Sequence, residues 1–265
     1  MSETQPDLKS SSQTNTAAWR IRFVESPGGL TLLRTFVDPA QSYAVVEKLS
    51  AEIPIAPNPS ELLVFWVPSE SHAEGFAPAK GAVRVPMKSG HLFWQPGRAI
   101  VQSSARAEDS MLAALAQFAH DESHLRQLEE AVRKFERSAL ADAPLAYLPH
   151  GRNRDDWQRI IDSAKELALL RLRAARLEPT AYLPPPDFSP SERRLIQHLI
   201  EETDVEDRLE ALSARLEACE DFYEGAVDRI VEQRGHGLER AIILLLMLET
   251  VFIIADLVFA LARGH

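Results

Sequence analysis

The stretch from residue 241 to residue 262, AIILLLMLETVFIIADLVFALA, constrains this chain more than any other. Its 22 residues include only three polar side chains, Glu249, Thr250 and Asp256. A helix of that length is about 33 Å long, which is enough for a hydrocarbon core of about 30 Å. Arg240 precedes the run and Arg263 follows it, and both can extend to a membrane–water interface. A single transmembrane helix is therefore predicted, with Arg263, Gly264 and His265 beyond it. Arg229, Arg234 and Arg240 lie before the run and only Arg263 after it, which places the N-terminal side in the cytoplasm.

Two carboxylates oppose this reading. At a helix centre each costs about 2.5–3.5 kcal/mol on insertion, whereas an aliphatic or aromatic residue returns about 0.3–0.6. With about fifteen such residues the sum is near balance or mildly favourable. Glu249 and Asp256 are seven positions apart and so share a helical face. That face is expected to meet protein, not lipid, and the two acids are candidate assembly residues. The competing reading is a helix fully buried in a soluble oligomer.

The segment before the run reinforces the assembly theme. Val205, Leu209, Leu212, Leu216, Cys219, Tyr223, Ala226 and Ile230 are spaced alternately four and three apart. This is a heptad seam sustained over more than three heptads. It fits a helix packed within one chain, for example antiparallel to a helix near residues 109–140, and equally an intermolecular coiled coil. Leu209, Leu212, Leu216, Cys219 and Tyr223 are its candidate contact residues. Gly235 and Gly237 lie between seam and run and allow a hinge or close packing there.

Further towards the N-terminus, two more helices are predicted. Phe118, Leu125, Leu128, Val132, Phe135 and Ala139 mark one face of a helix starting at Asp109 and broken by Pro144, Pro149 and Gly151. Residues 155–177 form the next, with Trp157, Ile160, Ile161, Ala164, Leu167 and Ala168 in a stripe. Pro184, Pro185 and Pro186 then force an extended link, and Ser189 or Ser191 can cap the helix after it. The first hundred residues read as a small sheet with a helix. Apolar runs at 19–24 and 30–37 flank Pro27-Gly28-Gly29 and suggest a hairpin. Residues 39–51 suggest a helix capped by Asp38, and 61–67, 82–87, 91–95 and 98–103 are strand candidates. Residues 1–18 are polar, without the apolar core of a secretory signal, and read as a disordered leader. The expected class is thus α+β: a disordered leader at 1–18, a small sheet domain at 19–104, a helical domain at 105–186, a heptad stalk at 187–237, and the span with its tail at 238–265.

Catalytic signatures are sparse. His120 and His124 are four apart on one face and are weak candidates for a metal pair, but Asp121 stands where the zinc-protease motif needs Glu. An ordinary polar helix surface explains them as well. No glycine-rich phosphate loop or nucleophile elbow is present. The formal charge of −10 disfavours general nucleic-acid binding. Arg152, Arg154, Arg159, Arg171, Arg173 and Arg176 are a local exception, and Arg173 and Arg176 are neighbours on one helical face. They suit RNA or lipid phosphate, or simply the many acids around them. The single cysteine excludes an intramolecular disulfide. No cofactor and no enzymatic activity are expected, the alternative being a metal-dependent enzyme that uses His120 and His124. Arginines outnumber lysines 23 to 6, a usage associated with GC-rich bacterial genomes.

Four stretches in order resemble the "required for meiotic nuclear division" family, long classed as a domain of unknown function. They are MLAALAQFAHDESHLRQLEEAV at 111–132, RLRAARLEPTAYLPPPDF at 171–188, the segment with Arg208, Leu212, Arg215 and Leu216, and LERAIILLLMLETVFIIADL at 238–257. In the last, Leu238, Glu239, Ile242, Ile243 and Glu249 fall roughly on the family's closing signature. The resemblance spans about residues 105–260. It implies a homo-oligomeric, single-span membrane protein without established enzymatic activity, whose mitochondrial members support translation at the inner membrane, with the ribosome or another protein as partner. For a bacterial member it implies the cytoplasmic membrane.

Overall fold

The structure is a computed structural model that describes residues 17–36, 42–49, 61–68, 78–104, 109–147 and 154–263. Within it, the side chains at 145–147, 154, 181, 230, 233–234, 236–238 and 255–263 lie outside the described set. The fold is α+β, with a seven-stranded sheet followed by helices. Two compact units interleave along the chain: Met1–Glu130 with Leu172–Ser213, and Ala131–Arg171 with Ala214–His265.

The first unit carries the sheet. Its strands are β1 (Ala17–Val24), β2 (Thr31–Phe36), β3 (Ser42–Leu49), β4 (Glu61–Val67), β5 (Val83–Met87), β6 (Gly90–Gln95) and β7 (Arg98–Ser103). They lie in the order β2-β3-β1-β4-β7-β6-β5. The pair β4–β7 is parallel and the other pairs are antiparallel. β4, ELLVFWV, sits at the centre, and its apolar residues other than the half-buried Trp66 are buried on both faces. Leu63, Phe65 and Val67 cluster with Ala18 and Ile100.

The four strand candidates after residue 60 are β4 to β7, with shifts of at most one residue, because Gly and Pro punctuate them. Two expectations in the first fifty residues are corrected. The run expected as a helix contains β3, Ser-Tyr-Ala-Val-Val-Glu-Lys-Leu, whose Tyr43, Val45 and Val46 favour a pleated surface; residues 37–41, which hold the supposed cap, lie outside the described set. The expected hairpin is also absent. β1 and β2 flank the turn, but β3 lies between them and hydrogen-bonds to both.

Four helices complete the described chain: α1 (Asp109–Tyr147), α2 (Arg154–Tyr182), α3 (Pro190–Glu202) and α4 (Val205–Arg263). Pro144 lies inside α1 and does not end it, and α2 runs past the expected end through Pro179. Ser189 caps α3 in a capping box with Glu192, whose carboxylate accepts from the Ser189 N–H at 2.8 Å. Thr203 and Asp204 separate α3 from α4, with Asp204 at φ 53°.

α4 is one helix of 59 residues that continues through Gly235 and Gly237 without a break. Among the described residues, no helix is long and apolar enough to cross a membrane. The described side chains of α4 stop at residue 254, whereas the apolar run of the sequence extends to 262.

The heptad seam is filled by this chain's own side chains. Val205, Leu209, Leu212, Leu216, Cys219, Tyr223 and Ala226 are all buried. In the second unit, Arg215 bonds Glu136 at 3.0 Å and the Tyr223 hydroxyl donates to Asp142 at 2.9 Å. Both numbers rise together, so α4 runs parallel to α1 and not antiparallel as expected. In the first unit the same helix pair is joined by Arg208, which donates to Glu129 at 2.8 and 3.0 Å and to Glu122 at 3.5 Å. Glu122 is buried and also pairs with Arg126, so neither charge is left uncompensated.

Candidate functional site

His120 and His124 are brought together as the four-residue spacing predicts, with ring centroids 4.2 Å apart and edge-to-face. His120 is buried and stacks flat on Phe36 at 3.9 Å, with Phe23 at 5.7 Å. Its Nε2 lies 3.4 Å from the Ser42 hydroxyl and its Nδ1 lies 3.4 Å from Asp121. Both ring nitrogens therefore face protein groups, and the ring serves as an aromatic packing element. Among the described residues, no group of three or more His, Cys, Asp or Glu is arranged to hold a metal ion.

Asp121 is positioned by a relay across the first unit. Arg34 of β2 donates to Gln117 at 2.5 Å, and the Gln117 amide donates to Asp121 at 2.8 Å. Arg34 is itself fixed. It donates to Asp187 at 2.9 and 3.3 Å, and its guanidinium lies 4.1 Å above the Phe188 ring. The hydrogen bond from Arg34 holds the Asp187 carboxyl below its usual range.

Beside this relay, α1 and α2 enclose a cavity of about 300 Å³. Asp121, His124, Gln127 and Leu128 line it from α1, and Arg173, Arg176, Leu177 and Thr180 line it from α2. The sequence marks His124 and the two arginines as notable separately. Their convergence is invisible there, because it depends on how α1 and α2 cross in the first unit. Asp121, Gln127 and Thr180 carry no sequence signal as site residues.

Burial lowers the His124 pKa below 6.5, electrostatic repulsion with the His120 ring adds to this, and Asp121 opposes it. Acid therefore destabilises the fold through this group. Below about pH 6.5 the unfolded chain binds a proton at His124 that the folded chain binds only at lower pH. Thermal unfolding between pH 7.5 and 5.5 is expected to shift downward less in His124→Gln than in the unsubstituted protein. An equal shift would show that His124 contributes nothing to the acid response.

In the second unit, Tyr223 and Asp142 form a buried polar pair at the seam, with Arg159 bonded to Asp142 at 2.6 Å. Burial, with Asp142 adding to it, pushes the Tyr223 phenol up to about 12. Burial likewise raises the Cys219 thiol, which suits a small seam hydrophobe and not a nucleophile.

The C-terminal part of α4 has the opposite character. Every residue from 241 to 254 is exposed. These include Ile242, Ile243, Leu244, Leu245, Leu246, Met247, Leu248, Val251, Phe252, Ile253 and Ile254. Fourteen consecutive residues make almost four turns, so the apolar surface surrounds the helix. Within it, Thr250 donates its hydroxyl to the Leu246 carbonyl at 2.8 Å. Glu249 is exposed among these side chains, and the Asp256 side chain lies outside the described set. No family model and no curated protein sequence matches the chain.

Proposed function

We propose that this protein is a membrane-anchored, non-enzymatic scaffold or tether, with its folded part on the cytoplasmic side of a bacterial inner membrane. One observation carries the reading: α4 leaves a buried seam and enters a stretch whose large apolar side chains surround the helix and in which every residue from 241 to 254 is exposed. Such a surface is unfavourable in water, and lipid is the surrounding that suits a helix apolar all round. The sequence extends the run to 22 residues with flanking arginines. The folded part would then be held at the membrane to engage another protein or the ribosome. The resemblance to the "required for meiotic nuclear division" family supports a link to translation at the membrane.

Assembly is assigned to the span. The seam residues Leu209, Leu212, Leu216, Cys219 and Tyr223 are already covered within one chain. Glu249 and Asp256 offer one polar face for homo-oligomer contact within the span. A soluble oligomer that buries the same apolar helix is the second reading, and it rests on the same exposed surface.

Fractionation separates the two. The full-length protein is expected to remain in the pellet after alkaline carbonate and after high salt, and release by either supports the soluble oligomer. Glu249→Leu is expected to keep the protein in the pellet and to lower its oligomeric state in detergent. Unchanged oligomerisation would remove the role given to Glu249.

A further inference from the structure

We infer that the cavity between α1 and α2 in the first unit binds a small phosphate monoester carrying hydroxyl groups, such as a sugar phosphate or a mononucleotide. Such binding does not depend on membrane attachment.

Arg173 and Arg176 stand one turn apart on α2, and both line the cavity. Opposite them, the Gln127 amide gives one hydrogen to Ser123 at 3.3 Å and keeps a second. The His124 ring adds a further nitrogen at the wall. The lining carries two arginines and one carboxylate, Asp121, in a chain whose formal charge is −10. A lone carboxylate ligand is satisfied by one arginine fork, whereas the oxygens of a phosphate monoester can use two.

The acceptors define the rest of the ligand. Asp121 is oriented by Gln117 and retains free lone pairs. Thr180 donates its hydroxyl hydrogen to the Leu177 carbonyl at 2.9 Å, so its oxygen is left to accept. These two acceptors line the same cavity as the donors and suit hydroxyls near the phosphate. Leu128 and Leu177 supply the apolar surface. A volume of about 300 Å³ falls at the small end of ligand pockets, which limits the ligand to about the size of a mononucleotide.

The same phosphate chemistry is offered by a free metabolite and by the headgroup of phosphatidic acid. The experiment uses the full chain in nanodiscs. Ribose 5-phosphate and adenosine 5′-monophosphate are titrated calorimetrically against ribose and adenosine, in parallel with nanodiscs prepared with and without phosphatidic acid. The expected result is binding of a monoester at least ten times tighter than that of its dephosphorylated counterpart. Arg173→Ala and Arg176→Ala each raise the dissociation constant tenfold or more. Both side chains are exposed, and the melting temperature without ligand is measured alongside to separate lost binding from lost stability. Arg193→Ala, on exposed α3 surface outside the cavity, leaves binding unchanged. Arginine-dependent binding of the soluble esters identifies a metabolite site, whereas binding confined to phosphatidic acid, which carries no free hydroxyl, identifies a headgroup site and overturns the hydroxyl-bearing ligand. The inference is overturned if no phosphate monoester outbinds its dephosphorylated counterpart in solution or in the bilayer. It is also overturned if binding is indifferent to both arginine substitutions.

Discussion

Gly90→Ala is expected to prevent the first unit from forming its sheet. Gly90 begins β6 at φ +155°, opposite Ser103 of β7. A Cβ at this position would lie 1.8 Å from the Gln102 carbonyl oxygen and 2.8 Å from its carbon. Both atoms are backbone and cannot rotate away, so the β6–β7 ladder would have to separate. β7 joins β6 to the central β4, so the damage would reach the middle of the sheet. A loss of about 4 kcal/mol or more is expected, at the extreme end for single substitutions. Gly225→Ala provides the contrast. It sits within α4 with nothing inside 4 Å of an added Cβ, and alanine there should stabilise by about 0.5–1 kcal/mol. Circular dichroism melts of both variants check this. A Gly90→Ala protein that melts like the unsubstituted one would show that the close approach of β6 and β7 is not required.

Asp142→Ala is expected to have the second largest effect, this time in the second unit. Asp142 is buried and accepts the hydroxyl of Tyr223, which is itself only 1% exposed. Removing the carboxylate takes away the acceptor of that hydroxyl hydrogen, leaves Ser163 as its one remaining named hydrogen-bond neighbour, and opens a void. Arg159 loses its 2.6 Å ion pair but is half exposed and can turn to water, so its share is small. About 3 kcal/mol is expected from the lost buried hydrogen bond and the lost packing. Asp142→Asn keeps an acceptor for Tyr223 and should cost about half as much. Chemical denaturation of the three proteins tests the order. Equal midpoints for Asp142→Ala and the unsubstituted chain would show that the pair contributes nothing net.

Periodicity is most informative where an element is decided locally. β4 to β7 are legible because Gly and Pro punctuate short apolar runs, and the α4 seam because its spacing continues over more than three heptads. β3 is easily mistaken for a helix because a proline stands near its start and its central Ala-Val-Val-Glu-Lys allows either form. Only pairing with β1 and β2 makes it a strand. Pairing across such separations leaves no local mark. The direction of the seam is hidden for the same reason, since heptads state which face is buried and not which way the partner runs. The cavity requires α1 and α2 to converge. His124 and Arg173 stand out individually, but Asp121, Gln127 and Thr180 have importance only through that convergence.

The interleaving of the two units has a consequence for how the chain is made. The sheet and the first part of α1 leave the ribosome early, but the stretch Leu172–Ser213 that completes the same unit is synthesised only after the whole of Ala131–Arg171. At about 5–20 residues per second the unfinished unit waits several seconds with apolar surface uncovered. Vectorial synthesis thus creates a window in which chaperone engagement matters more for this fold than for one whose domains follow each other in order. The same arrangement defeats dissection, because no single cut in the chain yields a fragment that contains all of one unit and none of the other.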